Sequence, residues 1–192
     1  MLTRKDWTKA TCNPAVKGLA WYRDGSTMRE GTGAGVYGQS VGRRPSFSLD
    51  KYATVFQAEI YAILVCAHEV QSQSRPERYA SICSDSLAAL KALKVVITTS
   101  PLVYHCQRAL NDISIRHVVG LFWVPGPAGI RGNEIADELA RDGSALKFHG
   151  PEPALGVSRR DLQKRFSRWL TNQHRAQWRG LGDTQSQARG FI

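Results

Sequence analysis

The spacing of apolar and polar positions changes character along the chain, and the changes mark out its elements. Residues Gly18 to Asp24 read as a strand that ends in a turn at Asp24, Gly25 and Ser26. The glycine-rich stretch Gly31 to Gly38 predicts a tight hairpin and a second strand with close backbone approach. A third strand is expected over Pro45 to Tyr52, with Phe47, Leu49 and Lys51 on one face and Ser46, Ser48 and Asp50 on the other. From Thr54 the period lengthens. Phe56, Ile60, Ile63, Leu64 and Ala67 recur at helical spacing, which predicts a helix from Thr54 to about Gln73, with Pro76 beyond it.

A short strand follows at Tyr79 to Ser84, then a short helix at Ser86 to Leu93. Ser100 and Pro101 pair an N-cap with proline at the first helical position and open a helix through about Ile113. Val118 to Val124 reads as a fifth strand, Pro125 to Gly132 as a loop, and Asn133 to about Leu146 as a helix. Three strands followed by strands alternating with helices predict an α/β fold: a mixed five-stranded sheet with helices on both faces. The last segment begins with a capping-box pattern at Ser158 and Asp161, flanked by Val157 and Leu162 as a staple. Leu162, Phe166, Trp169 and Leu170 form one apolar stripe, and Arg159, Arg160, Lys164, Arg165 and Arg168 cover the rest. This is a basic amphipathic helix whose stripe is expected to dock on a partner surface.

Charge adds to this picture mainly through its location. The chain of 192 residues carries a net +10, of which residues 147–192 contribute +6 and residues 1–20 contribute +3. The pattern divides the chain into a basic N-terminal segment (1–17), a nearly neutral core domain (18–148) and a basic C-terminal helical extension (149–192). Basic tails attract polyanions, nucleic acid first. No stretch approaches the roughly 18 apolar residues of a membrane span, and no secretory signal precedes the first strand. The four cysteines (Cys12, Cys66, Cys83, Cys106) are far apart and never spaced C-x-x-C. Three fall in apolar periodic segments, which favours free buried thiols in a reducing compartment, cytoplasm or nucleus, over zinc or disulfide use.

The candidate chemistry lies in four carboxylates. Asp24 ends the first strand, Glu59 lies in the first turns of a helix, Asp85 follows the fourth strand, and Asp137 opens the last core helix. Taken singly, such residues are usually solvated or capping. Glu59 differs, because it interrupts an apolar face where an uncompensated charge is costly, and a metal ion is one way to compensate it.

Four stretches containing these residues resemble, in order and at suitable spacing, the motifs of the type 1 ribonuclease H family. They are Trp21-Tyr-Arg-Asp-Gly-Ser26, Gln57-Ala-Glu-Ile-Tyr-Ala62, Ser84-Asp-Ser-Leu-Ala-Ala-Leu90, and Trp123-Val-Pro-Gly-Pro-Ala-Gly-Ile-Arg-Gly-Asn-Glu-Ile-Ala-Asp137. The wording is similar to that of ribonuclease H domains of non-LTR retrotransposons. The resemblance implies an endoribonuclease that hydrolyses the RNA strand of RNA–DNA hybrids with two Mg²⁺ ions, for which Mn²⁺ can substitute. It implies Asp24, Glu59, Asp85 and Asp137 as metal ligands and catalytic residues, with Asp24 shared by both ions. It also implies Gly25 and Ser26 as contacts to the substrate, whose 2′-hydroxyls distinguish RNA from DNA. Oxygen ligands suit hard Mg²⁺, and two such ions clamp the entering and leaving oxygens of a phosphoryl displacement. A reverse transcriptase in a longer polyprotein is the implied neighbour, and the isolated chain is expected to be a monomer.

One position departs from the family. A histidine common in the loop ten residues before the last aspartate is replaced by Pro127, within Val124-Pro-Gly-Pro127. Proline neither transfers protons nor leaves the loop free to flex. This predicts a weakened enzyme, with an inactive hybrid-binding remnant as the alternative. His68, His105 and His117 read as ordinary packing or surface residues, and His149 as a distant candidate for the missing histidine. Trp21, Trp123 and Trp169 favour packing over base stacking.

Overall fold

The structure, a computed structural model, describes residues 16–49, 52–73, 77–146, 155 and 157–180. The N-terminal segment with Trp7 and Cys12, residues Asp50 and Lys51, and His149 therefore lie outside the described residues. The chain divides into two compact units, residues 1–156 and 157–192.

In the first unit, β1 (Leu19–Thr27), β2 (Thr32–Gly38) and β3 (Ser46–Ser48) precede α1 (Val55–Ser72), β4 (Tyr79–Ser84), α2 (Leu87–Lys94), α3 (Pro101–Ser114), β5 (Val118–Trp123) and α4 (Arg131–Ala145). The sheet order is β3-β2-β1-β4-β5. The first three strands are antiparallel, whereas β4 and β5 run parallel to β1. This is the mixed α/β sheet that the sequence predicts.

Alternation along β1 assigns its side chains to two cores. Leu19 and Trp21 join Ile60, Ile63 and Val70 of α1 and Leu102 and Val103 of α3. Ala20 and Tyr22 join Cys83, Val124 and Ala136 of α4 on the other face. The helix starts follow local chemistry. The Thr54 hydroxyl accepts from the Gln57 amide while the Gln57 side chain accepts from the Thr54 amide, a reciprocal capping box at the start of α1. Ser86 and Ser100 cap α2 and α3 through Ala89 N and Val103 N. Cys66, Cys83 and Cys106 are buried.

Two strand boundaries differ from the sequence reading. The expected turn at Asp24–Ser26 is continuous strand, because Asp24, Gly25 and Ser26 pair with Gly35, Ala34 and Gly33 of β2. The reversal comes later, where Met28 N donates to Gly31 O (2.8 Å). Long-range pairing here overrides the local turn preference of Asp-Gly-Ser. β3 is shorter than Pro45–Tyr52, although its alternation holds: Phe47 packs edge-on to Tyr61 of α1, while the Ser46 and Ser48 hydroxyls donate to the carbonyls of Leu139 and Leu146 beside α4. Side-chain bonds to a helix thus replace part of the expected ladder.

The glycines of β2 let α4 lie directly on the sheet. A Cβ at Gly35 would overlap the Ala136 carbonyl oxygen and the Ala140 nitrogen, and one at Gly33 the Ala140 carbonyl oxygen and the Ser144 nitrogen. Both obstructions are backbone, which cannot rotate aside.

In the second unit, α5 (Arg159–Gly180) carries the basic amphipathic pattern, and Leu162, Phe166, Trp169 and Leu170 are all exposed. No helix among the described residues is long and apolar enough to cross a membrane.

The contact between α4 and β2 generates a stability prediction. Gly35→Ala is expected to lower unfolding free energy by about 3 kcal/mol, the upper range of overpacking costs. A urea titration should show a reduced midpoint with an unchanged slope. A midpoint equal to that of the wild type would contradict the close-approach assignment.

Candidate active site

The parallel register brings two carboxylates to one end of the sheet. Tyr22 of β1 is level with Cys83 of β4, and Asp24 and Asp85 each lie two residues further on. Glu59 arrives from the opposite face, fixed by the capped start of α1 and by Gly25. A Cβ at Gly25 would come within 2.8 Å of the Glu59 nitrogen, so only glycine lets α1 approach β1 this closely. Asp24, Glu59 and Asp85 consequently offer ligand oxygens that all lie within 4.8 Å of one another. Among the described residues, this is the one group of three or more His, Cys, Asp or Glu side chains so close together.

Asp24 and Glu59 are buried and Asp85 is half-buried. Burial, and then the charge of Asp85, push the Asp24 carboxyl up to about 6; a hydrogen bond from Gly25 N (2.7 Å), Arg23 and Arg141 act in the opposite direction. Asp85 is held by two neighbours: its backbone carbonyl accepts from Trp123 Nε1 (3.0 Å), and its Oδ2 from Asn133 Nδ2 (3.4 Å). The loop after β5 passes close by, since a Cβ at Gly126 would be 3.4 Å from Asp85 Oδ2. Pro127, next in that loop, is exposed.

The fourth predicted carboxylate does not join the other three. Asp137 lies on α4, which packs on β1, but its carboxylate pairs with Arg141 one turn later, Oδ1 accepting from Nε at 3.1 Å. Gly25 and Ser26 sit half-buried beside the cluster at the end of β1.

The donor set fits hard divalent cations. It consists of carboxylate oxygens without thiolate or imidazole, and of the three carboxylates only Glu59 is ion-paired with an arginine, Arg23.

A family model of ribonuclease H matches residues 16–145. The chain belongs to the ribonuclease H family. It is thereby a hydrolase of the class that acts on RNA–DNA hybrids, and the family generally uses divalent metal ions. The match spans the whole sheet and α4.

Two residues of this ribonuclease H contribute to the site beyond those its sequence singles out. Arg23, fully buried, forms an ion pair with Glu59, and its Nη2 donates to the Ser84 hydroxyl. The expected uncompensated charge at Glu59 therefore has a protein partner. Alternation with Leu19 and Trp21 was a signal that Arg23 points inward. Asn133, also buried, steadies Asp85 and sits one turn before Asp137. Its place four residues before Asp137 on a helix was the available clue.

Charge crowding at the cluster makes a prediction in the absence of metal. Asp24→Asn removes a buried carboxylate and its repulsion from Asp85, so in chelator its midpoint temperature is expected to exceed that of the wild type by a few degrees. Thermal unfolding monitored by circular dichroism in EDTA would test this. A lower midpoint would mean that the Asp24 carboxylate stabilises the fold through contacts of its own.

Proposed function

We propose that this ribonuclease H is an endonuclease that hydrolyses the RNA strand of RNA–DNA hybrids with two Mg²⁺ ions, Mn²⁺ being an acceptable substitute. Asp24, Glu59, Asp85 and Asp137 would hold the ions. The observation that carries this reading is the convergence of three carboxylates within 4.8 Å on the matching motifs. Bound divalent ions would supply charge neutralisation and water activation for the phosphoryl displacement.

The chain's own residues prepare the site. Trp123 anchors the backbone carbonyl of Asp85 and Asn133 contacts its carboxylate, which together limit how far Asp85 must reorganise when a ligand arrives. The Gly25 amide is engaged by Asp24, which leaves its contribution to substrate binding in the close passage of backbone rather than in donation. Ser26 offers its hydroxyl beside the cluster to a 2′-hydroxyl of the RNA. Asp137 would turn from Arg141, an exposed helix pair worth about 0.3–0.5 kcal/mol, to complete the ligand set.

A second reading has its own observation. Pro127 stands where the family commonly has a loop histidine, in a loop lying against Asp85. A catalytically weak or inactive hybrid-binding remnant would follow if that histidine were indispensable. The motif wording supports a non-LTR retrotransposon origin, with a reverse transcriptase as neighbour in a longer polyprotein. Buried free thiols favour a reducing compartment, cytoplasm or nucleus, and we take the isolated chain to be a monomer.

Cleavage of a labelled RNA–DNA hybrid in Mg²⁺, Mn²⁺ and chelator separates the two readings. Slow, metal-dependent cleavage is expected from the wild type and none from Asp24→Asn. Pro127→His is expected to raise turnover, by less than the 10²–10⁴-fold typical of a fully used acid–base group, without tightening hybrid binding. The gain should be largest near neutral pH, where imidazole both accepts and donates. Hybrid binding without cleavage in both wild type and Pro127→His would establish the remnant.

The extension 149–192 is proposed to engage the phosphate backbone. Residues 147–192 carry +6, and α5 places Lys164, Arg168, Arg175 and Arg179 along one face. If half of that charge contacts phosphate, deleting residues 147–192 should flatten the slope of log K on log salt by about 2–3 units, at roughly 0.9 per contact. Binding isotherms from 50 to 300 mM salt measure the slope, and an unchanged slope would exclude the extension from the interface.

A further inference from the structure

The ion pair between Arg23 and Glu59 is buried on both sides: Arg23 is 0% exposed and Glu59 6%. Its geometry is held from three elements. Arg23 projects from β1, Glu59 from α1, and Ser84, at the end of β4, accepts from Arg23 Nη2 while its hydroxyl oxygen also accepts from Ser86 N (3.0 Å). Ser84 is fully buried, so the guanidinium cannot swing to solvent. Burial pushes the Arg23 guanidinium down to about 10, which still leaves it charged at neutral pH, and its planar fork fixes direction as well as charge.

The position of this pair matters because Glu59 is also one of the three clustered carboxylates. Buried without a partner, Glu59 would be strongly destabilising, and the neighbouring negative charges would add to the cost. A metal ion can relieve that cost only once it is bound. Arg23 relieves it at neutral pH whether or not a metal is present.

We propose that Arg23 is a positioning residue and internal counter-ion. It holds the Glu59 carboxylate beside Asp24 and Asp85 and balances its charge until a divalent cation does so, so that the site is assembled before the cation arrives. The inference rests on the reading of the carboxylates as metal ligands. It has a thermodynamic consequence distinct from packing. A counter-ion that does part of the cation's work reduces how much the cation can stabilise the fold. Removing the counter-ion must therefore increase the stabilisation by metal, whereas loss of mere packing lowers stability equally with and without metal.

The test is thermal unfolding of the full chain in EDTA and in a series of Mg²⁺ and Mn²⁺ concentrations, with calorimetric titration of Mn²⁺ on the same proteins. Arg23→Gln retains a polar group that can reach Ser84 but removes the charge. It is expected to lose on the order of 10 °C in EDTA, and much less at saturating metal. Its apparent affinity for Mn²⁺ should rise about tenfold or more. Arg23→Lys, which keeps the charge, should stay near the wild type in its metal response. Arg23→Gln with Glu59→Gln should recover most of the midpoint lost in EDTA.

Equal losses by Arg23→Gln in EDTA and in saturating metal would overturn the proposal and leave Arg23 as a packing residue. So would failure of the double variant to fold under either condition. A wild type whose midpoint does not respond to Mg²⁺ or Mn²⁺ would instead overturn the metal reading itself, and the counter-ion role with it.

Discussion

Mutual repulsion among Asp24, Glu59 and Asp85 is the constraint on which the rest of the structure depends. Three unit charges with ligand atoms within 4.8 Å repel by about 3–4 kcal/mol per pair at an effective dielectric near 20. Three such pairs amount to about 10 kcal/mol, comparable to the whole stability of an ordinary domain. The fold cannot hold them together unless protons, protein cations or metal ions relieve the charge. Each form of relief has a visible counterpart here: the Asp24 carboxyl pushed up to about 6, the buried guanidinium of Arg23, and a set of hard oxygen donors facing one another.

Holding the carboxylates against that repulsion requires rigid attachment, and the attachments are backbone ones. Gly25 lets α1 press on β1, while Gly33 and Gly35 let α4 press on β2. Asp85 follows a central parallel strand whose neighbour β5 supplies Trp123, the donor to its carbonyl. None of these residues carries charge, yet each removes a freedom by which the carboxylates would separate.

Most of the frame was legible in the sequence because it is locally encoded. Thr54, Ser86 and Ser100 mark helix starts through their own hydroxyls, and the structure begins α1, α2 and α3 one residue after each. The extent of β1 was not legible, because Asp24-Gly25-Ser26 carries a turn preference that only pairing with β2 overcomes. Asp24, Glu59 and Asp85, separated along the chain, lie together in the structure. Asp137 is not among them and pairs instead with Arg141, at the spacing where opposite charges meet on a helix. Arg23 lay inside a recognised motif but received no role, since basic residues in strands are ordinarily exposed. Its inward direction follows from the period of two shared with Leu19 and Trp21, and only the position of α1 reveals that Glu59 is there to meet it.

The two arginine–carboxylate pairs divide the site into a fixed part and an adjustable part. Arg23 and Glu59 are enclosed by β1, β4 and α1, so separating them would strand a charge in the interior, a loss of several kcal/mol. Arg141 and Asp137 are about half and a third exposed, and water competes for both partners at little cost. The sheet therefore presents three carboxylates together, while Asp137 pairs with Arg141 in a weaker, more exposed contact on α4. Arg141 also acts on Asp24, drawing its carboxyl down against the upward push of burial and Asp85, so the weak pair and the buried cluster share one cation's field. The buried pair is thus the one whose loss the fold would feel, whereas loss of the exposed pair would cost about 0.3–0.5 kcal/mol.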